Sequence, residues 1–362
     1  MPTPWEEFLA KSLATSRPVK NVAADTRVLH IDGQEMPVTL NFGGEPDTSW
    51  VASLRNSYGP YARAEVGLVG ISGIAGVLSI AASKAVERVL GFAGLSGGLY
   101  LNNWQLATNL FGPAFTVNPI LKACALLHND YPRQPVVVRS LTPAIHQGLL
   151  NDLVGNGFLL IPTRQVWLVD TLASGAWRQH SDVKKDLVLE AKGGFEWVAG
   201  DNFTSADYER ALLLYDQLYR GKYPAYNPDY TESFFRVGVE SGWLSLYGLR
   251  KPGYPLSGIV GIVRQGEWFA TPVLGYDLAI PQKVGLYRRL MLHAFKTVET
   301  SGGKLHCSGG AGKFKKQRGA YPAVEYAAVS TTGMRRSQRL ALSMLSSLLL
   351  RAVVPYMKNR AL

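Results

Sequence analysis

The sequence predicts an α/β protein of two similar halves, in which mixed sheets are flanked by helices. Residues 98–170 alternate between short β-type runs and segments with helical periodicity. The same succession of strand, helix, strand, helix and strand returns at residues 267–329. With 362 residues, the chain is long enough to bury a core in each half.

The first half is predicted to begin with a hairpin over residues 26–42, because two β-type runs flank the turn Asp32-Gly33. Residues 66–83 then carry no charge, and their length is at the lower limit for a membrane span. They are rich in Gly, Ala and Ser, and Lys84 follows within the same helical pattern. We therefore predict a buried helix, with a membrane span or a lipid-facing helix as alternatives. The remaining elements predicted for this half are strands at 99–103, 135–139, 158–161 and 165–170, and helices at 119–129 and 142–154.

The second half is predicted to begin with a helix that Thr204 and Asp207 start as a capping box. Glycines at 302 and 303 end the last predicted helix of this half. The elements predicted here, in order, are the helix from Thr204, a helix at 228–239, a three-stranded meander at 243–249, 256–263 and 267–274, a helix from Leu286, a strand at 304–308, a further helix and a strand at 324–329.

The composition is that of a globular protein with a basic excess, since 47% of the residues are hydrophobic and the net charge is +11. This charge indicates an acidic partner, for which coenzyme A, an acyl carrier protein, tRNA and an anionic membrane are candidates. Cys124 and Cys307 are far apart and lack metal-ligand spacing, which favours a reducing compartment. The N-terminal segment has no apolar run typical of a signal peptide. We expect a cytoplasmic protein without an integral membrane span.

The loop over residues 281–285 joins a predicted strand to the helix that starts at Leu286. A helix that starts there directs free backbone N–H groups and the positive end of its dipole towards the loop. Such a position binds phosphate. The sequence therefore predicts a phosphate-binding loop at this place.

Two motifs resemble a known family. The loop Gln282-x-x-Gly285-x-Tyr287 resembles the pyrophosphate-binding signature Q/R-x-x-G-x-G/A of the GNAT acyltransferases, with Tyr287 in place of the small residue. A later segment is similar to the GNAT-like N-acyltransferases described as BioF2-like, which are related to the Fem-type aminoacyltransferases of peptidoglycan synthesis. Its matching residues are His306, Ser308, Gly310, Ala311, Phe314, Lys315, Arg318, Gly319, Ala320, Glu325 and Tyr326.

The resemblance is specific over residues 200–330 and implies a double-GNAT architecture. It predicts a degenerate GNAT-like half at 1–175, a GNAT-like catalytic half at 176–333 and a basic C-terminal helix at 334–362. Asn102 and Asn103 are implied, by the resemblance alone, to line the cleft from the first half. The C-terminal helix is expected to pack on the domain with a solvated basic face, and binding to anionic lipid is the alternative.

The catalytic candidates are His306, Ser308, Asp277 and Tyr276. His306 is suited to accept a proton near neutral pH, and Ser308 should share its side of a short strand. Asp277 is a candidate to orient or deprotonate an amine, and Tyr276 to donate a proton to a leaving thiol. A core histidine at 306 and a turn cap at Asp277 are the structural alternatives.

The donor-binding candidates share the loop or a basic side chain: Gln282, Gly285, Tyr287, Arg288, Lys315 and Arg318. Arginine and lysine suit phosphate or carboxylate recognition. The alternatives are that Tyr287 only packs the helix and that Arg318 pairs with Glu325. No metal site and no tightly bound cofactor are predicted.

These features together predict a GNAT-type acyltransferase. It would transfer an acyl group from a thioester, on coenzyme A or an acyl carrier protein, to the amine of a small molecule or amino acid. Direct attack by the amine without a covalent enzyme intermediate is expected. The alternatives are a Fem-like transferase that uses aminoacyl-tRNA and a non-catalytic membrane-surface or binding module.

Overall fold

The computed structural model describes residues 3–14, 17–68, 72–112, 115–222 and 226–359, and their strands form one 11-stranded sheet. The strands are β1 (Asp25–Ile31), β2 (Gln34–Asn41), β3 (Gly98–Leu101), β4 (Val136–Leu141), β5 (Phe158–Val169), β6 (Glu196–Ala199), β7 (Leu244–Arg250), β8 (Gly258–Gln265), β9 (Trp268–Tyr276), β10 (Lys304–His306) and β11 (Tyr321–Ser330). The α-helices are α1 (Pro4–Ala14), α2 (Leu54–Asn56), α3 (Ala62–Leu68), α4 (Gly73–Phe92), α5 (Val117–Asp130), α6 (Pro143–Gly155), α7 (Ser181–Ala191), α8 (Ser205–Asp216), α9 (Glu232–Glu240), α10 (Leu286–Thr300), α11 (Gly312–Lys316) and α12 (Arg336–Asn359).

Strand β11 joins the two predicted halves. It belongs to the second half in sequence, yet it lies between β4 and β5 of the first half and pairs antiparallel with both. Strand β5 in turn pairs with β10 of the second half. The sheet order β1-β2-β3-β4-β11-β5-β10-β9-β8-β7-β6 therefore continues through the predicted division at residue 175. The limits of the domains stay a prediction.

The predicted α/β class, with a mixed sheet flanked by helices, is confirmed. The hairpin over residues 26–42 is the antiparallel pair of β1 and β2. From Thr204 onward, the second half has the predicted order of two helices, three antiparallel strands, helix, strand, helix and strand. Helix α7 and strand β6, which precede it, are not among the predicted elements. The Thr204 hydroxyl accepts from the Asp207 N–H, and the Asp207 carboxylate accepts from the Thr204 N–H, so the predicted capping box is present. The second helix starts later than predicted, at Glu232, because Thr231 caps it.

Strand β5 is one strand of 12 residues where the sequence predicts two. Pro162 does not interrupt it, because the register with β11 shifts at this point. Pro162 is opposite Tyr326 and Arg164 is opposite Glu325, so Thr163 is the extra residue of a bulge. Bulges redirect side chains, and this one brings Arg164 and Glu325 to the same place on the sheet.

The uncharged stretch over residues 66–83 is not a buried helix, and that prediction is wrong for the described residues. Ile74, Val77 and Leu78 of α4 are exposed, Ile74 by 81%. Only the C-terminal part of α4 packs on the sheet, where Leu90 is fully buried. Apolar composition predicts a helix here, but it does not say which turns reach the core.

Helices cover both faces of the sheet. On one face, α4 and part of α12 pack on the strands of the first half, and α1, α8 and α9 pack on the strands of the second half. The other face carries α5 and α6 in the first half and α7 and α10 in the second half. The side chains of β9 face both layers, with Ala270 and Val273 facing α8 and α9, and Phe269 and Leu274 facing α10. Residues 270 and 273 share a face because the register with β8 shifts between them.

Helix α12 covers an open edge of β5. Strand β10 pairs with β5 only near the C-terminal end of β5, so most of that edge has no strand neighbour among the described strands. The Ser346 hydroxyl donates to the Leu160 carbonyl at 2.7 Å, and the Gln165 side-chain amide donates to the Met357 carbonyl. Unpaired strand edges need such cover.

Helix α12 is also the one helix in the described part of the chain that is long and apolar enough to cross a membrane, over Arg336–Lys358. Its inner side is buried at Leu342, Leu345 and Leu349. The helix therefore packs on the sheet, and its outer side exposes both basic and apolar residues. A cytoplasmic location and the lack of a membrane span stay predictions.

Gly275 tests the packing of α8 on β9. A Cβ at this position would lie 2.6 Å from the backbone of Leu214 and Tyr215. We expect Gly275→Ala to lower the free energy of unfolding by about 1–3 kcal/mol, because backbone atoms have to move. Gly148→Ala in α6 is the control, since nothing lies within 4 Å of its added Cβ; it should be neutral or stabilising by up to about 1 kcal/mol. Urea unfolding measures both, and equal stability of Gly275→Ala and the wild type would contradict this packing.

Candidate active site

Strands β9 and β10 separate at the centre of the sheet. They pair in parallel only as far as Ala270 and His306. Strand β9 then continues to Tyr276, whereas the chain after His306 follows β5, where the Trp167 N–H donates to the Ser308 carbonyl at 3.1 Å. A gap therefore opens between β9 and β5. Gaps of this kind, beyond the carboxyl ends of parallel strands, are where α/β proteins bind ligands.

Helix α10 begins beside this gap with free N–H groups. The chain passes from β9 through the short 3₁₀ helix Gln282–Val284 and enters α10 after Gly285. Gly285 has a φ of 71°, and a Cβ would lie 2.6 Å from Leu189, so glycine is required here. Within the described chain, no side chain caps the start of α10. Its first N–H groups and the positive end of its dipole are available to an anion.

His306 is buried on the side of the sheet opposite α10. The Ser308 backbone N–H donates to its Nδ1 at 3.1 Å. A nitrogen that accepts this bond carries no proton, so the neutral ring carries its proton on Nε2. Nε2 is buried and has no hydrogen-bond partner among the described residues. Burial lowers the pKa of His306 to about 3, so at neutral pH the ring presents an N–H donor and is a poorer proton acceptor than an exposed histidine.

A buried ion pair lies next to His306. Arg164 donates from Nε and Nη2 to the two carboxylate oxygens of Glu325, at 3.0 and 3.1 Å. Burial acts to raise the pKa of Glu325, but the charge and hydrogen bonds of Arg164 outweigh it, and the pKa is lowered. The carboxylate therefore stays ionised, and the bidentate contact fixes both side chains.

Arg164 also holds the loop that follows β3. Its Nη2 donates to the Ala107 carbonyl at 2.6 Å and to the Thr108 hydroxyl at 3.0 Å. The Thr108 and Ser308 hydroxyl oxygens are 3.1 Å apart and hydrogen-bonded. The loop, the ion pair and the end of β10 thus form one network. We call its members the central polar cluster: Thr108, Arg139, Arg164, His306, Ser308 and Glu325.

Arg139 is the second arginine of this cluster, and it is buried. It donates to Asn103 Oδ1 at 3.1 Å and to the Leu106 carbonyl at 3.0 Å. The Trp50 ring lies 5.0 Å from its guanidinium carbon and 4.9 Å from that of Arg164, so one indole contacts both cations. Burial lowers the pKa of Arg139 to about 10, so the side chain remains charged at neutral pH.

Left-handed backbone conformations surround the central polar cluster. Asn102, Gln105, Ser140 and Ser308 have φ angles of 51°, 56°, 65° and 58°. Such conformations cost energy in non-glycine residues and persist where the surroundings hold them. Hydrogen bonds hold the two serines, since the Asn109 N–H donates to the Ser140 hydroxyl and the Ser308 N–H donates to His306. This concentration of strain is typical of a functional site. Asn102 and Asn103 are buried in this loop.

Lys315 binds backbone oxygens of its own chain. Its ammonium donates to the carbonyls of Cys307, Ser308 and Gly309 at 2.6, 3.3 and 2.7 Å. Burial lowers its pKa to about 8. Lys315 therefore clamps the glycine-rich turn after β10, and its predicted role in donor binding stays a prediction.

Arg318 and Arg288 share one buried carboxylate. Arg318 donates to both oxygens of Asp186 at 2.6 and 3.1 Å, and Arg288 donates to the same carboxylate at 2.5 Å. The alternative that Arg318 pairs with Glu325 is wrong, because Glu325 is the partner of Arg164. Both arginines tie α7 to the C-terminal elements. Donor binding by these two side chains stays a prediction.

The remaining candidates line the α10 side of the gap or its entrance. Asp277 accepts from Arg210 at 2.7 Å and from the Ala279 N–H at 2.9 Å, as expected of a turn cap. Burial raises the pKa of the half-buried Tyr276, so its hydroxyl stays protonated. Tyr287 packs between Tyr276 and Phe314, with ring centroids 6.2 and 4.6 Å away. The catalytic and donor-binding roles of these residues stay predictions.

Glu65 on α3 is an acid that the sequence analysis did not single out. Burial raises its pKa, although a hydrogen bond with Tyr61 and the charge of Arg164 oppose the shift. The Tyr61 ring lies 5.5 Å from the ring of Trp50, which contacts both arginines of the cluster. A half-buried carboxyl with a raised pKa beside a polar cluster is suited to accept a proton.

Sequence reasoning also missed Arg139 and Arg164, and it named Glu325 only as a residue of the matching segment and as a partner of Arg318. The available signal was that each is a single charged residue within an otherwise apolar strand. A buried charge is costly unless it is paired. Charged residues at the centre of β4, β5 and β11 therefore indicate one shared site.

No family model and no curated protein matches the sequence. Among solved structures, the chain is similar to the C-terminal domain of a putative lysylphosphatidylglycerol synthetase from Agrobacterium fabrum, with a TM-score of 0.52 and 10% identity over 96% of this chain and 98% of that chain. The chain is also similar to FemX, with a TM-score of 0.46 and 10% identity over 58% of this chain and 75% of that chain. A third similar structure is a tandem GNAT protein from the clavulanic acid biosynthesis pathway, with a TM-score of 0.37 and 13% identity over 64% of this chain and 75% of that chain. The fold is GNAT-like. Membership of the BioF2-like branch stays a prediction.

Arg164 and Glu325 should make coupled contributions to the free energy of unfolding. We expect Arg164→Met and Glu325→Gln each to cost about 3–5 kcal/mol, because each leaves a buried charge or polar group without its partner. The double variant Arg164→Met/Glu325→Gln should cost less than the sum of the two single variants, as measured by urea unfolding. Because the pKa of Glu325 is lowered, its ion pair stabilises the fold fully at pH values above the ordinary carboxyl pKa. This stabilisation is lost as the pH falls through the lowered pKa of Glu325. Additive single and double effects would contradict the pairing.

His306 should stay neutral across the physiological range, because burial holds its pKa at about 3. Histidine ring ¹⁵N chemical shifts between pH 5 and 8 should show a proton on Nε2 and no titration of His306. His30, whose side chain is 72% exposed, is the solvent-exposed reference in the same spectra. Assignment of the resonances uses His306→Gln. Titration of His306 within this range would contradict the buried, neutral ring.

Proposed function

We propose that this GNAT-like chain is a transferase that moves an acyl group from a thioester donor to the amine of a small molecule or amino acid. One observation carries the proposal: β9 and β10 separate beside the uncapped start of α10, with the central polar cluster beside the gap. The donor is acyl-coenzyme A or an acyl group on the phosphopantetheine arm of a carrier protein, and it binds as a substrate.

The gap suits an extended donor arm. Beyond Ala270, the edge of β9 has no strand partner among the described strands. A phosphopantetheine arm carries amide groups, which can pair with such an edge as an added strand would. Its phosphate then lies at the start of α10. Lys283 in this loop is exposed, and in the described chain no acidic side chain pairs with it, whereas Arg288 and Arg318 are held by Asp186.

The central polar cluster supplies donors for the transition state. The amine nitrogen attacks the thioester carbonyl carbon, and negative charge develops on the carbonyl oxygen. The Nε2–H of His306 and the hydroxyl of Ser308 are the donors for that oxygen. The C–S bond then breaks and the thiolate leaves. The ion pair of Arg164 with Glu325 holds these donors in place through Thr108.

Two protons have to move in this reaction. Glu65 accepts the proton of the attacking amine, directly or through a water molecule, because its raised pKa makes it a better base than an ordinary carboxylate. Tyr276 protonates the leaving thiolate, since its raised pKa keeps the hydroxyl protonated. Asp277 and Arg210 hold the chain at the end of β9.

A second candidate is a transferase that uses aminoacyl-tRNA as the donor. It is supported by the position of the basic side chains, since three cations near the gap, Arg288, Lys315 and Arg318, are bound within the chain. The basic excess of +11 therefore lies largely elsewhere on the surface. An extended polyanion such as tRNA can use such a distributed charge.

The donor class can be tested with matched substrates. The purified protein is incubated with acyl-coenzyme A, an acyl carrier protein and aminoacyl-tRNA, each with a mixture of amines. We expect amine-dependent release of thiol from a thioester donor. His306→Gln and Ser308→Ala should each lower kcat by about 10²-fold or more, because each removes a donor to the oxyanion. Ser174→Ala, in an exposed turn, is the control and should retain the wild-type rate.

Three results would go against the proposal. Consumption of aminoacyl-tRNA alone, abolished by RNase, would favour the second candidate. No turnover of any donor by folded protein would contradict both. An unchanged kcat in folded His306→Gln would remove the assigned role of the ring.

A further inference from the structure

We propose that the outer surface formed by α4 and α12 docks this protein on an anionic lipid bilayer. The proposal goes beyond the transferase function and does not depend on it. We call this surface the α4–α12 face, and its exposed apolar residues are Ile74, Val77, Leu78, Leu340, Met344 and Leu348.

The apolar residues of α12 form one exposed stripe. Leu340, Met344 and Leu348 follow one another at intervals of four residues and are exposed by 63%, 65% and 62%. Residues at this spacing lie above one another on a helix. A solvated helix normally directs such a stripe to the core. In this helix, the opposite side of α12 already packs against the core, where Leu342 and Leu345 are buried.

Helix α4 extends this surface. The Gln338 side chain of α12 donates to the Phe92 carbonyl at the end of α4 at 2.9 Å, and both helices pack on the same cluster of buried residues. Their exposed sides therefore belong to one side of the molecule. Exposed apolar surface on two helices of one side marks an interaction site.

Basic residues rim the apolar stripe. The exposed cations are Lys84 and Arg88 of α4 and Arg336, Arg339, Arg351 and Lys358 of α12. Helix α12 contains no acidic residue. The one acidic residue of α4, Glu87, is bound by Arg55 and Arg63. In the described part of the chain, no acidic partner neutralises the six cations of this face.

The apolar stripe and the basic residues around it together decide which partner can bind the α4–α12 face. A nucleic acid or an acidic protein surface complements the cations but leaves the apolar stripe in contact with polar groups. A second copy of this chain covers the stripe but brings like charges together. An anionic bilayer complements both, because acyl chains receive the leucines and headgroup phosphates pair with the arginines and lysines.

The helix lies on the bilayer and does not span it. A spanning helix exposes apolar residues all round. Helix α12 instead buries its inner side on the sheet and bonds to the edge of β5 through Ser346 and Met357. The Met357 carbonyl accepts from the Gln165 side chain, so the C-terminal part of α12 is also held against β5.

Vesicle binding tests the proposal. The full chain is mixed with phosphatidylcholine vesicles or with vesicles that also contain phosphatidylglycerol, and bound protein is separated by flotation. We expect binding to the anionic vesicles, weakening with salt as surface charges are screened. Leu340→Gln/Met344→Gln/Leu348→Gln should weaken partitioning about tenfold or more, because three apolar contacts with the acyl chains are lost. Arg336→Gln/Arg339→Gln should weaken it about fivefold for each charge removed.

The matched control is Val188→Gln/Leu213→Gln, which removes exposed apolar residues from α7 and α8, outside the α4–α12 face. It should bind vesicles as the wild type does. The proposal is overturned if the wild type fails to float with anionic vesicles, or if the α12 variants bind unchanged. It is also overturned if sedimentation shows a dimer that the same α12 substitutions dissolve and that excludes vesicle binding. Transferase activity on water-soluble substrates is measured separately, so failure of either proposal leaves the other standing.

Discussion

The pairing of Arg164 with Glu325 is the interaction on which the centre of this molecule depends. It joins β5 to β11 at the bulge where both strands change register. Arg164 also donates to the Thr108 hydroxyl in the loop after β3, and Thr108 in turn is hydrogen-bonded to Ser308 after β10. Removing charge from this place would leave carbonyls, a carboxylate and hydroxyl groups buried without partners, which costs more than the pair itself gains. A chain with an incomplete cluster should therefore be less stable than one in which every member has its partner.

This constraint explains the topology around it. Strand β11 is supplied by the second half but completes the sheet of the first, so Glu325 meets an arginine from the other half. The same arrangement leaves β10 short and separates it from β9, which opens the gap, and leaves an edge of β5 that α12 has to cover. The gap and the covering helix are thus two results of one strand placement.

The sequence contained the order of elements more clearly than the contacts between them. Period and turn residues predicted the hairpin, the capping box at Thr204 and the helix after Gly285, because these are local properties. The exposure of Ile74 and the partners of Arg318 were not accessible in this way. The exposure of Ile74 and the partner of Arg318 both depend on which distant element packs against them. The identity of an apolar or charged residue does not reveal that partner. The resemblance located the end of β10 but not Arg164, which lies more than a hundred residues earlier.

The distribution of charge illustrates the same limit and bears on function. A net charge of +11 predicts an acidic partner but gives no position for it. In the folded chain, Arg164, Arg318 and Lys315 near the gap are bound to Glu325, to Asp186 and to carbonyls, where they set the shape of the site, whereas Lys283 stays exposed. The cations of α4 and α12 have no such partners among the described residues and stand around apolar side chains. Cations that shape a site are screened by their own partners and add little to the recognition of a new anion, whereas exposed cations beside leucine retain their full attraction for one. The basic excess of this chain therefore bears more on where the protein is held than on the chemistry of its central polar cluster.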